Sequence, residues 1–238
     1  MQLSDKAKAL VEKKYEDNHK DRLIHTFGVA EMAEYLAKRY DVDVNKALVA
    51  AYLHDYCKYD DISIAKDVLT EEELKDCELY PFLYHAYLSA IAYKELFKDD
   101  FDIDIYNAIK YHVFGRPNMS MLEAIIMIAD FTEKNRKYPS CCKARSILVD
   151  EDDLNLAIYK SLQWTIEFVL KEGQKPHPNQ ILVTEEYKRK VEEDVIRRSN
   201  RWLPWKGKRE GYPCIWYKGK KPILWWNDFS FSWFFTSG

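Results

Sequence analysis

Glycine is scarce in this 238-residue chain: there are seven, and only Gly28, Gly115 and Gly173 precede position 200. The loops that cradle phosphates through bare backbone are missing with it. There is no GxxxxGK[ST], no GxGxxG after a strand and no GxSxG elbow, which sets aside the P-loop, dinucleotide-binding and serine-hydrolase classes. No window holds ~18 uninterrupted apolar residues, so no transmembrane helix is expected. The five cysteines (57, 77, 141, 142 and 214) are odd in number and form no CxxC pair. Cys141 and Cys142 are adjacent, which suits neither zinc-finger spacing nor a disulfide framework, so reduced thiols are expected. The opening MQLSDKAKALVEKK is amphipathic and lacks the apolar centre of a signal peptide, and a cytoplasmic location is expected.

What is present is a helical chain. Hydrophobic residues make up 47% and charged residues 32%, the balance of a soluble globular protein with one sizeable domain, or one domain and an appendage. The first 175 or so residues read as successive helices. Asp43 is placed to cap a segment in which Val44, Ala47, Leu48, Ala51 and Tyr52 recur at helical spacing. Thr70 with Glu73 and Ser120 with Glu123 read as capping boxes. The second opens MLEAIIMIADFTEK, apolar on nearly all sides and therefore a central helix. Gly173 reads as a helix-ending glycine, and Pro176 and Pro178 break the pattern.

Near residue 188 the composition changes. Residues 188–238 hold 12 basic and 5 acidic side chains, a net +7, while residues 1–187 hold 24 basic and 34 acidic, a net −10. Six of the seven tryptophans lie beyond residue 200. The reading is a main domain over 1–187 and a basic, Trp-rich tail over 188–238. An acidic main body argues against a nucleic-acid groove there. In the tail, YPCIWYKGKKPILWW can be read as two short strands, with Pro222 weakening the second. A small β-rich appendage, a poorly ordered segment, and a surface for single-stranded nucleic acid or anionic membrane all fit that composition.

Chemistry enters with the histidines. His25 lies in RLIHTFGVAEMAEYLAKRY, His54 and Asp55 end AAYLHDYCK, His85 sits in YPFLYHAYLSA, His112 in NAIKYHVFGRP, and Asp130 interrupts the apolar IIMIAD run. Singly, each histidine reads as a packed helical residue. Asp130 does not, because a carboxylate in so apolar a run must be paired, protonated or metal-bound. Together they form an ordered H…HD…H…H…D set on separate helical segments, and helix bundles assemble metal sites from inward side chains of facing helices. Imidazole and carboxylate without thiolate suit a first-row metal such as iron, manganese, cobalt or zinc. Six donors exceed one open catalytic ion. Asp55 is then placed to bridge a site of His25, His54 and Asp130 and a second of His85 and His112, the two-ion arrangement used for displacement at phosphorus. Arg22, Lys58, Lys110, Arg116 and Arg136 flank the set, with Lys58, Arg116 and Arg136 the favoured polyanion contacts. Cys57, beside the motif, reads as a packed thiol.

With GRPNMS, IADFTEKNR and KEGQKPHPN in the same order, the stretches above resemble the HD-domain metal-dependent phosphohydrolases, specifically the bacterial YqeK family, over about residues 20 to 180. The resemblance implies an all-α HD-domain bundle and an iron-type centre of one or two ions. It also implies symmetrical hydrolysis of diadenosine tetraphosphate to two ADP by metal-activated water. By position it assigns His25, His54, Asp55, His85, His112 and Asp130 to metal. Asp55 and Lys58 become catalytic, with Lys58 matching the lysine of HDxxK. Arg22, Gly115, Arg116, Glu133 and Arg136 become substrate contacts. It admits a homodimer. The chain departs from the family at Val113 (usually Thr), at Ala86-Tyr87 (usually Gly-Pro) and at Lys134 (usually Pro). Two rivals remain: a phosphohydrolase for another nucleotide or phosphoester, and a non-catalytic nucleotide-binding HD module.

Overall fold

Short polar residues start the helices where the sequence places them. The Asp43 carboxylate accepts from the Lys46 amide and opens α3 (Val44–Leu53). Thr70 and Glu73 form a reciprocal capping box at the start of α5 (Glu71–Leu79), and Ser120 and Glu123 another at α8 (Met121–Thr132). Each satisfies backbone donors that a first helical turn leaves unpaired. The structure, a computed structural model, describes residues 2–201.

Around these run α1 (Leu3–Tyr15), α2 (Lys20–Arg39), α4 (Ala65–Val68), α6 (Leu83–Leu96), α7 (Ile103–Lys110), α9 (Pro139–Val149), α10 (Leu154–Lys171) and α11 (Pro178–Arg201). No strand occurs among the described residues, as the all-α expectation requires. None of their helices is long and apolar enough to cross a membrane. The strand pair expected near residues 212–226 lies outside the described residues. α11 continues through residue 188, so the compositional shift there falls inside a helix.

α8 is the axis. Ile125, Ile126, Ile128 and Ala129 are all fully buried, and α2, α3, α7, α9 and α10 pack around it. Such an all-round apolar helix is stable only when enclosed. α10 packs between α9 and α11. A second small core gathers Cys57, Ala65, Leu69, Cys77, Leu83 and Leu88 beneath α4–α6. Among the described residues Cys57, Cys77, Cys141 and Cys142 are free thiols. Burial pushes Cys57 and Cys77 up to about 12, so neither is a nucleophile at neutral pH.

Candidate metal centre

Five segments converge on one point beside α8. α2 brings His25 and α8 brings Asp130, in its last turn. α6 brings His85 from within its first turn. His54 and Asp55 lie in the turn that closes α3, where the Tyr56 amide donates to Leu53 O at 3.1 Å and the Lys58 amide to Asp55 O at 3.0 Å. His112 lies in the turn after α7, closed by Gly115 at φ +68° with its amide 2.8 Å from Tyr111 O. The i→i−3 bonds make the turn after α3 tighter than an α-helix, and adjacent His54 and Asp55 both reach one centre there.

The four imidazoles form a row, with ring centroids 5.6 Å apart for His25–His54, 5.0 Å for His54–His112 and 5.2 Å for His112–His85. The carboxylates lie alongside. His25 Nε2 is 3.0 Å from Asp130 Oδ1, and His54 Nε2 is 3.4 Å from Asp55 Oδ2. His85 Nε2 is 2.9 Å, and His112 Nε2 3.7 Å, from Asp55 Oδ1. All six expected ligands are thus brought together. Two groupings could each hold an ion, His25–His54–Asp130 and His54–Asp55–His112, with donor atoms mutually within 4.8 Å. His54 is common to both, and His85 adjoins the second at 3.3 Å from His112 Nε2.

Hydrogen bonds on the outer edge of three of the four rings fix which nitrogen faces inward. His54 Nδ1 is 2.7 Å from Ala51 O and His112 Nδ1 is 2.7 Å from Ile109 O, so both Nδ1 atoms carry the proton and donate it. His25 Nδ1 lies 3.3 Å from Glu133 Oε1. Three bare Nε2 lone pairs therefore point at one another and at two carboxylates, the outer-edge orientation characteristic of metal-ligating histidine. His25 Nε2, His54 Nε2 and Asp55 Oδ1 are buried without a hydrogen bond of proper geometry. Facing lone pairs and unpartnered buried acceptors are unfavourable unless a cation lies among them. The donor set fits a divalent metal.

Electrostatics agree. Burial opposes ionisation of Asp55, yet His54, His112 and His85 hold its carboxyl well below the usual range. Asp130 is held low in the same way, against burial, chiefly by Arg136. His85 is pushed down to about 4 by burial, helped by His112 and Lys58 and opposed by Asp55. His54 runs the other way: burial would lower it, but Asp55 outweighs burial and raises it. An ionised carboxylate and a neutral imidazole are the forms that bind metal, so an ion at His54 would displace its proton.

The flanking cations divide. Arg22 Nη1 reaches Asp55 Oδ2 at 2.5 Å, Arg136 Nη2 reaches Asp130 Oδ1 at 2.7 Å, and Lys58 Nζ is 3.6 Å from Asp55 Oδ1 and 3.2 Å from His85 Nε2. Arg22 and Arg136 also line an open cleft of about 590 Å³ with His25, Tyr59 and Tyr138. Arg116 instead forms a bidentate pair with buried Glu123 (2.7 and 2.9 Å), and Lys110 pairs with Glu73 at 2.6 Å. Gly115 serves its turn, where a Cβ would press on Met119 and Met127. Glu133 is buried behind His25. Tyr87 is buried with its hydroxyl on Asp76 at 3.0 Å, and Lys134 pairs with Glu31.

Three supporting residues escaped the sequence reading. The Tyr15 hydroxyl donates toward the Asp55 and Tyr56 carbonyls (2.8 and 2.7 Å), holding the ligand turn. Arg145 donates to the Thr132 and Arg136 carbonyls (2.6 and 2.9 Å) and to Glu133 O, fixing the chain after Asp130. Gly28 leaves the space that the Glu133 carboxylate occupies. Only Gly28 carried a signal, as a glycine inside a helical pattern.

Such a centre in an α-helical bundle is that of an HD-domain protein, and residues 22–135 match the family model described as HD domain. A "Bis(5'-nucleosyl)-tetraphosphatase, symmetrical" of Bacillus subtilis is 37% identical over 68% of this chain and 86% of its own length. Its namesake in Halalkalibacterium halodurans is 41% identical over 66% and 84%. A crystal structure from Clostridium acetobutylicum, described as a predicted HD superfamily hydrolase involved in NAD metabolism, superposes with a TM-score of 0.66 at 31% identity, covering 78% of this chain and 97% of that one. The chain belongs to the HD-domain family, in the branch that contains the symmetrical bis(5'-nucleosyl)-tetraphosphatases.

Proposed function

We propose that this protein hydrolyses diadenosine tetraphosphate symmetrically, giving two ADP. The observation that carries the reading is the convergence of four histidines and two carboxylates, with His25 Nε2, His54 Nε2 and Asp55 Oδ1 left unpartnered, beside Arg22, Lys58 and Arg136. The relatives' shared name supplies the substrate.

His25, His54, Asp55, His85, His112 and Asp130 are the residues that would hold the metal. Iron suits this donor set, and manganese, cobalt and zinc share its preference. A divalent cation there supplies Lewis acidity, neutralising phosphate charge and making water nucleophilic at neutral pH. The chain's own groups do the rest. Lys58 and the cleft arginines Arg22 and Arg136 attract the tetraphosphate and offset charge that builds on its oxygens. Glu133 keeps His25 turned with Nε2 inward. Water adds at one of the two inner phosphorus atoms, the bond from that phosphorus to the oxygen joining the inner phosphates breaks, and two ADP leave.

The test is chromatography of the products formed by the iron-loaded chain under anaerobic conditions. ADP alone is expected, and His54→Ala is expected to abolish turnover. ATP with AMP would mean an asymmetric cut. No turnover with metal in place would move the assignment to another phosphoester or to a nucleotide-binding module.

A further inference from the structure

We infer that the aromatic cavity next to the His85 and His112 segments is a purine-base subsite, read by the side-chain amide of Gln180. This rests on the hydrolase reading for its ligand, a nucleotide with a base at each end of a phosphate chain.

The cavity measures about 500 Å³ and is bounded by Tyr80, Phe82, Phe114, Lys175, His177 and Gln180 among others. Its position ties it to the metal centre. Phe114 follows His112 by two residues and Phe82 precedes His85 by three, so the segments that present ligands also form this wall.

The wall is built rigidly. His177 is buried, with Nε2 on Asp76 at 3.0 Å and Nδ1 accepting from the Asn179 amide at 3.0 Å. Both ring nitrogens are used, so His177 offers the cavity an apolar ring. That ring stacks on Phe114 at 4.9 Å and 14°, and Tyr80 meets it edge-on at 4.6 Å. The Tyr87 hydroxyl steadies Asp76 from the other side. Thus Tyr87, where the family usually has proline, buttresses a cavity wall.

Gln180 points to the ligand. It is 1% exposed, and neither its amide nitrogen nor its amide oxygen has a hydrogen-bond partner. A buried primary amide left unpaired is costly, and natural structures rarely keep one without a reason. Its coplanar donor and acceptor match the amino group and ring nitrogen of adenine, the pairing Gln makes with that base elsewhere. Aromatic walls supply stacking for a planar ring. Phe82, 61% exposed at the rim, is free to cover it. Lys175 adds a cation for a nearby phosphate.

Calorimetric titration of the full, metal-loaded chain with ADP, and separately with pyrophosphate, tests this. Gln180→Met keeps length and volume but removes donor and acceptor. It is expected to weaken ADP about tenfold while pyrophosphate binding stays as in the parent. Phe82→Ala, at an exposed position that does not threaten folding, is expected to weaken ADP several-fold. Parent-like ADP affinity in both variants overturns the inference, as does equal loss for ADP and pyrophosphate, or a parent chain that binds no ADP. Selective loss of ADP binding in a protein that fails to cut diadenosine tetraphosphate would uphold the subsite and sink the hydrolase reading.

Discussion

At the scale of single residues, the site depends on groups that never touch a substrate. Gly28 lies inside α2, where glycine is disfavoured relative to alanine by roughly 0.5–1 kcal/mol. It persists because a Cβ there would overlap the Glu133 carboxylate and crowd Asn135. Glu133 in turn holds His25 Nδ1 and accepts from the Asn135 amide at 2.6 Å. Gly28→Ala should therefore push Glu133 off His25 and lower metal affinity by roughly 10–100-fold, the usual effect of losing such an orienting partner. Competition against a chromophoric chelator measures it. Unchanged affinity would show that Glu133 does not orient His25. The clustering of the proposed ligands was legible because histidines and an apolar-helix aspartate break the surrounding pattern at spaced points. Tyr15 and Arg145 were not legible. Both act on backbone carbonyls, and nothing in a sequence shows which distant turn a hydroxyl or guanidinium will meet.

At the scale of elements, local chemistry was readable and tertiary chemistry was not. The Thr70–Glu73 and Ser120–Glu123 boxes and the Asp43 cap needed only a three-residue window, and all three form. α11 was missed because its sequence is mostly polar. It is anchored by Gln180, Val183 and Tyr187, all buried at helical spacing against the body. Glu73 shows how a local motif acquires a long-range role, since it also receives Lys110 from α7. Burial alone would raise its carboxyl, but Lys110 and the Thr70 groups outweigh burial and hold it below the usual 4.5. A depressed carboxyl stabilises the fold above its unfolded value, and that contribution is lost as pH falls through the folded value. Glu73→Gln keeps the capping box and removes the charge. It should cost about 1 kcal/mol at pH 7, with the difference from the parent shrinking below about pH 4.5. Urea unfolding at the two pH values decides it. A penalty that persists undiminished in acid would place the effect in packing.

At the scale of the whole molecule, the proposed metal centre would double as a tie. His25, His54, His85, His112 and Asp130 come from α2, α6, α8 and the turns after α3 and α7, spanning over a hundred residues of chain. Without a cation, these segments meet through buried imidazoles and carboxylates whose inward atoms are only partly satisfied, with Arg22, Lys58 and Arg136 alongside. A cation that binds this arrangement and not the unfolded chain stabilises by about 4 kcal/mol at a thousand times its dissociation constant. For a body of this size that corresponds to a melting shift on the order of 10 °C. Metal added to chelator-treated protein should raise the melting temperature by about that amount. His54→Ala, which removes the donor common to both groupings, should lose most of the shift even if its own metal-free melting point is unchanged. A shift retained in full by His54→Ala would place the stabilising ion away from this cluster. That result would also detach catalysis from the residues that the turn after α3 brings forward.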